Sequence, residues 1–358
     1  MPEATFHGRR ASSIENRNLR VTLLHEGGHI AEIFGKAAGV SPLWIPPWPS
    51  IEPSTYDRAK HPGYGADSES KLLAGIMGHN LCLDIFGGPS DEEAAAGLTV
   101  HGEASVARYD VSEASGTLTA RATFPVAQLR FERQIRLGGD RAIEFRETLE
   151  NLSASDRPLA WTQHVTLGPP FLERGRTQFR ASATRSRVFE GDFGQDHAYQ
   201  KPGTDFDWPN VPLIKGGHAD LRVYNGALAS AGFTTHLMDP HREHADFVAF
   251  SPASKLAFGY VWTRADFPWL GIWEENHSRM TPPWNGKTLT RGMEFGASPM
   301  PETRRKMIER GGLFGMPGYR WIPAKKTLKV RYWAMLAPAE RVPEGLTWSG
   351  EDNIRFES

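Results

Sequence analysis

Cysteine is almost absent: Cys82 is the only one in 358 residues, so the chain can form neither an internal disulfide nor a Cys-rich zinc site. Its setting, LCLDIF, reads as a buried apolar position rather than a reactive thiol. No run approaches the roughly 18 apolar residues that a membrane-spanning helix needs, and the opening stretch MPEATFHGRRASSIENRNLR lacks the apolar core of a secretory signal. A cytoplasmic location without membrane association is the expectation. An excess of one charge is also missing: 41 Lys and Arg stand against 42 Asp and Glu, a formal net charge of −1, which gives no global field to draw nucleic acid. No internal repeat, heptad pattern or composition break divides the chain, and a single domain over 1–358 is expected.

What is plentiful points to turns and strands. The 36 Gly, 26 Pro and 11 Trp suit many short connections more than long helices. Between 117 and 149 apolar residues alternate with polar ones: Leu118, Ala120, Ala122 and Phe124, then Leu129, Phe131, Ile135 and Leu137, then Ile143, Phe145 and Leu149 after Gly138-Gly139-Asp140. Period two over three successive runs predicts three antiparallel strands with one buried face. FRASATRS, ADLRVYN, KLAFGYVW and TLKVRYWAM read as further β segments, whereas PSDEEAAAG, capped by Ser90 or Asp91, and PETRRKMIE read as short helices. The fold class is therefore all-β and mainly antiparallel, with few short helices.

Three groups of residues invite chemistry without carrying it. His25, Glu26 and His29 match the pattern H-E-x-x-H, which binds zinc only when the histidines lie one helical turn apart. Both middle residues are glycine, each costing about 1 kcal/mol in a helix, so Gly27-Gly28 reads as a hairpin turn instead. Residues 235–244, THLMDPHREH, have no helix to align His236, His241 and His244 on a metal and read as a surface loop. Trp44, Trp48 and Tyr56 lie in the Pro-rich segment 41–65, an ordered loop whose rings either stack on a sugar or pack the loop onto the sheet.

Three other residues carry more. His164 lies in ENLSASDRPLAWTQHVTLGPPFL, where strand patterning meets polar and turn-forming residues; His101-Gly102 follows a short strand; Glu294 sits between Met293 and Phe295, an apolar setting that raises a carboxylate pKa. Each has a bland reading as well, since histidines at strand ends are often turn residues.

GGHIAEI followed by SPLW, IFGG with LTVHGEA, LENLSASDRPLAWTQHVTLGPPF and GMEFGASPMPE occur in an order that resembles the aldose 1-epimerase, or galactose mutarotase-like, family. The resemblance covers most of the chain. It implies a large antiparallel β-sandwich, the supersandwich, with an open sugar-binding cleft, no cofactor and no metal, acting as a monomer or homodimer on a small-molecule carbohydrate. By motif, His164 corresponds to the acid that protonates the ring oxygen, Glu294 to the base that takes the anomeric proton, and His101 to the second histidine that holds the sugar. Asn80 stands near the position of a polar residue before the first histidine, and Trp273 offers an aromatic contact. The family's substrate-binding aspartate is taken as Asp207, in PGTDFDWP, with Asp205 and Asp239 as alternatives. The loop after His164 departs from the family's His-Pro-aromatic run.

Opening a hemiacetal needs one group that donates a proton and one that accepts at the same pH, which a histidine and a carboxylate with separately tuned pKa values supply. The reading requires the sheet to bring His101, His164 and Glu294 together, with room for a pyranose between His164 and Glu294. A carbohydrate-binding protein without catalysis, or a carbohydrate lyase or hydrolase on the same architecture, is the alternative, because fold does not fix function.

Overall fold

The computed structural model describes residues 4–191 and 193–357. Two antiparallel sheets pack face to face. The larger has 12 strands, running in space from Thr5–Phe6 through Arg9–Glu15, Leu19–Leu24, Ile30–Gly35, His79–Asp84, Arg157–Leu167, Leu289–Gly296, Trp269–Asn276, Ser230–Met238 and Ala183–Val188 to Asp205–Asp207, with Arg320–Ile322 pairing on the start of 157–167. The smaller has eight strands in the order Gln178–Ala181, His244–Ser251, Leu256–Thr263, Thr327–Pro338, Ala142–Asn151, Leu129–Gly138, Thr117–Phe124 and Asp110–Ala114.

The alternating runs at 117–149 form the three antiparallel strands they predict, with Phe131 opposite both Ala122 and Leu149. Their apolar faces turn inward, burying Leu118, Phe131, Ile135 and Phe145 against Leu81, Trp161, Val165, Ile272, Met293 and Phe295 of the larger sheet. Inward burial of Trp161 and Val165 forces Thr162, His164 and Thr166, which alternate with them, to the opposite face, because successive strand side chains alternate. This alternation is what presents His164 outside the sandwich core.

One polar cluster interrupts the core beneath that strand. Gln163 points inward, where its Nε2 donates to Glu147 Oε2 at 2.7 Å and its Oε1 accepts from His79 Nε2 at 2.9 Å and Arg133 Nη2 at 3.0 Å. Arg133 Nε and Tyr332 OH donate to Glu147 Oε1 at 2.7 and 2.8 Å, and Trp161 Nε1 donates to Oε2 at 3.0 Å. The Arg133–Glu147 pair is 2 % and 0 % exposed, so its desolvation is tolerable only because the carboxylate is saturated with donors. The cluster fixes the strand 157–167 from below.

The local readings vary in outcome. Strands Leu19–Leu24 and Ile30–Gly35 form a hairpin whose turn contains Gly27 and Gly28 at φ +75° and +58°, conformations that glycine adopts without penalty. Glu26 accepts from Ser54 N and Oγ at 2.8 and 2.7 Å, whereas His29 Nε2 donates to the Ser105 carbonyl at 2.9 Å, so the H-E-x-x-H side chains serve separate contacts. Ser90 caps the helix Asp91–Ala95 with a full capping box, and the helix Arg304–Arg310 begins inside PETRRKMIE and runs one residue past it. Residues 235–244 are a loop only at their centre: His236 is buried on the strand Ser230–Met238 and His244 opens the strand His244–Ser251. ADLRVYN contributes a regular strand only at His218–Asp220; beyond it Val223 makes an isolated antiparallel bridge to Gln178.

Candidate active site

Two neighbouring strands set the site. In the ladder between Arg157–Leu167 and Leu289–Gly296, His164 lies opposite Glu294; on the other edge of 157–167 it lies opposite Asn80, and Glu294 in turn lies opposite Gly271. Residues in register share a face, so Asn80, His164 and Glu294 make one row across the outer face of the larger sheet. That face is roofed by irregular segments, leaving a cavity of about 270 Å³ whose walls include Phe86, Phe233, Trp273 and Trp284 and whose polar groups are Glu69, His101, His164, Arg279 and Glu294.

Glycine makes the row possible. Gly292 and Gly296 lie two residues either side of Glu294, on the same face of the strand. A Cβ at 292 would run into Glu294 Oε1 and one at 296 into Thr162 Oγ1, so the carboxylate occupies the space that Gly292 leaves.

His164 Nε2 lies 3.1 Å from Glu294 Oε1, with side chains 6 % and 2 % exposed. The approach is off the hydrogen-bond direction: Glu294 Oε1 has no hydrogen-bond partner among the described residues and is open to a donor from a ligand. His164 Nδ1 meets Thr166 Oγ1 at 2.9 Å, which fixes the ring plane. Burial pushes the His164 pKa well below its usual value, with the neighbouring His101 adding to the shift, and burial pushes Glu294 well above the carboxylate range. Both displacements disfavour charge. Burial thus drives the pair towards a carboxyl group beside a neutral imidazole.

His101 reaches the cavity from the loop after the strand His79–Asp84. It adopts φ +69°, followed by Gly102 at +77°, where a Cβ would strike the Leu83 carbonyl. Nδ1 donates to the Phe86 carbonyl at 2.7 Å; a carbonyl only accepts, so the proton is on Nδ1 and Nε2 is left with a lone pair. Burial lowers the His101 pKa to about 4. Its ring centroid lies 4.9 Å from that of His164, and the Trp273 ring lies 5.8 Å from His164 on the other side.

The structure thus brings His101, His164, Glu294 and Trp273 into one cavity. It differs from the sequence reading on the spacing, because His164 and Glu294 touch and leave no gap for a sugar ring; a ligand has to lie against the pair. Asn80 is buried beside His164, its amide unpartnered among the described residues, but it does not line the cavity. Asp207 is not brought in. It sits exposed on the edge strand Asp205–Asp207, four strands away from Glu294, opposite Arg185, and Asp205 and Asp239 also lie away from the cavity. Trp44 and Trp48 pack behind Trp284, with centroids at 6.3 and 5.1 Å, and Tyr56 stacks with His61, so none is a sugar wall.

The sequence matches no family model and no curated protein. Solved structures do resemble it. A candidate aldose 1-epimerase from Klebsiella pneumoniae superposes with a TM-score of 0.67 at 15 % identity, over 93 % of this chain and 80 % of that one. The chain has the galactose mutarotase-like fold. A candidate aldose 1-epimerase from Escherichia coli gives 0.61 at 10 % identity, over 92 % and 100 % of the two chains, and a galactose mutarotase-like protein from Lactobacillus casei gives 0.57 at 13 %, over 91 % and 100 %.

Within this galactose mutarotase-like sandwich, the cavity residues that sequence reasoning missed are Glu69, Phe86, Phe233, Arg279 and Trp284. Arg279 is the only Lys or Arg among the described residues that line the cavity. Its guanidinium sits 4.6 Å over the Trp284 ring, with Nη1 3.3 Å from Glu69 Oε2 and Nε 3.5 Å from Glu275 Oε2. The segment SRMTPPW between two strands was the available signal, since it combines a cation and an aromatic with prolines that preclude regular structure.

Proposed function

We propose that the cavity binds a reducing sugar and that His164 and Glu294 interconvert its anomers. The observation that supports this best is the contact of His164 Nε2 with Glu294 Oε1 at the base of an aromatic-walled cavity. A hemiacetal carries two oxygens on one carbon, so the acceptor and donor that address them have to be neighbours. Transfer of the carboxyl proton from Glu294 to His164, by a small turn of the carboxyl group or through a bound hydroxyl, turns the neutral pair into a carboxylate and an imidazolium, the base and the acid that ring opening requires. Glu294 then takes the proton of the anomeric hydroxyl as C1–O1 becomes a double bond and C1–O5 breaks, and His164 delivers its proton to O5. Rotation about C1–C2 and the reverse sequence close the ring on the other face.

His101 Nε2, an acceptor, holds a sugar hydroxyl near that oxygen, and Trp273 and Trp284 supply apolar faces for the ring's C–H groups. The test is anomer exchange: saturation-transfer NMR on aldoses at equilibrium, with and without protein. Acceleration lost in His164→Ala and Glu294→Gln supports the reading, and calorimetric sugar binding without acceleration would assign the cavity to recognition alone.

A further inference from the structure

We infer that the sugar taken by this site is an uncharged reducing oligosaccharide, its reducing unit against His164 and Glu294 and its next unit in an adjoining compartment; the inference rests on the anomer-exchange reading. A second cavity, of about 490 Å³, opens beside the first. The two share Glu69, Leu73, Phe193, Arg279 and Trp284 as walls, but His101, His164 and Glu294 line only the first. Anomer exchange needs a free anomeric hydroxyl at the acid–base pair, so any further sugar unit is joined through another hydroxyl and leads away from the pair. The second compartment lies on that side.

The joint between the compartments suits a glycosidic bridge. It is made of the Arg279–Glu69 ion pair, with side chains 27 % and 29 % exposed, and Trp284, over whose ring Arg279 sits. Guanidinium and carboxylate at this point donate to and accept from hydroxyls, while the indole covers apolar ring faces. Beyond it the wall adds Asp67, Asp196, His197 and Thr281, with Met280, 70 % exposed, at the rim.

The same charges argue against a phosphate ester. Asp67, Glu69 and Asp196 face the second compartment, and Arg279, the only Lys or Arg among the described residues there, is already matched by Glu69 and Glu275. A dianionic group would enter against Asp67 and Asp196, beside an Arg279 whose charge Glu69 and Glu275 already match, a repulsion that selects for neutral sugars.

Saturation-transfer NMR on the full chain with glucose, galactose, maltose, cellobiose, lactose and glucose 6-phosphate reads this directly. At least one disaccharide is expected to show kcat/KM about tenfold or more above the monosaccharides, since binding energy remote from C1 lowers the barrier there, and the phosphate ester to fall below glucose. Thr281→Trp, which fills only the second compartment, is expected to remove the disaccharide advantage and leave glucose exchange unchanged; Met280→Trp at the rim serves if the first variant is not folded by circular dichroism. Monosaccharide exchange equal to or faster than that of every disaccharide, or preference for the phosphate ester, overturns this inference while leaving the anomer-exchange reading standing. No exchange of any sugar overturns both.

Discussion

His164 and Glu294 face each other across one antiparallel ladder, Nε2 3.1 Å from Oε1, in a setting too dry to favour either ion. Groups that pass one proton between them act as a unit. His164→Ala and Glu294→Gln should each lower kcat/KM for anomer exchange by about 10²–10⁴-fold. The double variant should cost no more than about threefold beyond the worse single one, because removing either partner already disables the pair. Multiplying losses in steady-state rates would show independent roles.

The pH profile follows from the same two displacements. Activity requires one proton on the pair; it ends when His164 gains a second at low pH or Glu294 loses its own at high pH. The acid limb is therefore expected below the ordinary histidine value of 6.5 and the base limb above the ordinary carboxylate value of 4.5, once the solvent-catalysed rate is subtracted. An acid limb at or above 6.5 in kcat/KM would mean that His164 titrates as an exposed imidazole.

Gly292 has a role that its sequence neighbours conceal. A methyl group there meets the Glu294 carboxylate, so Gly292→Ala should swing Glu294 away from His164 and lower kcat by about tenfold or more, as expected for a misplaced catalytic group. The melting temperature should fall by no more than a few degrees, about 1 kcal/mol, because only a side chain has to move. An unchanged rate in a folded variant would remove the packing argument.

Acid should destabilise the fold before it reaches the ordinary carboxylates. His29 and His236 are held neutral to about pH 3 and His101 to about pH 4, and His79 and His164 are lowered as well, all by burial. Between about pH 6.5 and 4 the unfolded chain binds protons that the folded chain refuses, so each such histidine withdraws about 1.4 kcal/mol of stability per pH unit. Glu294, Asp246 and Asp266, raised by burial, act in the opposite direction but are fewer. The urea midpoint is expected to fall from pH 7.5 to pH 5.5; a midpoint that holds or rises would contradict the neutral burial of these rings.

The fold was legible where one face of a strand is buried and the other is wet. The three strands of 117–149 are explicit for that reason, and the Gly27-Gly28 turn because a helix there is costly. The pairing of 157–167 with 289–296 is not written in any periodicity, since both strands are buried on both faces and 122 positions separate the start of one from the end of the other; only the resemblance joined His164 to Glu294. Glu69, Arg279 and Trp284 were missed because Pro-rich irregular segments carry no pattern that tells which side chain points inward. Asp207 was chosen from a motif, and motif position says nothing about which edge of a sheet a strand occupies. His236 escaped the loop reading because the strand Ser230–Met238 continues past the residues whose alternation could be seen.

The most direct measurement is the anomer exchange rate of neutral aldoses and reducing disaccharides, followed by saturation transfer between anomeric protons at pH 7 with the wild-type chain and with Glu294→Gln. The account predicts exchange above the solvent rate for at least one sugar, falling by about 10²-fold or more in the variant. Exchange at the solvent rate for every sugar, or acceleration that survives the loss of the Glu294 carboxyl group, would contradict it.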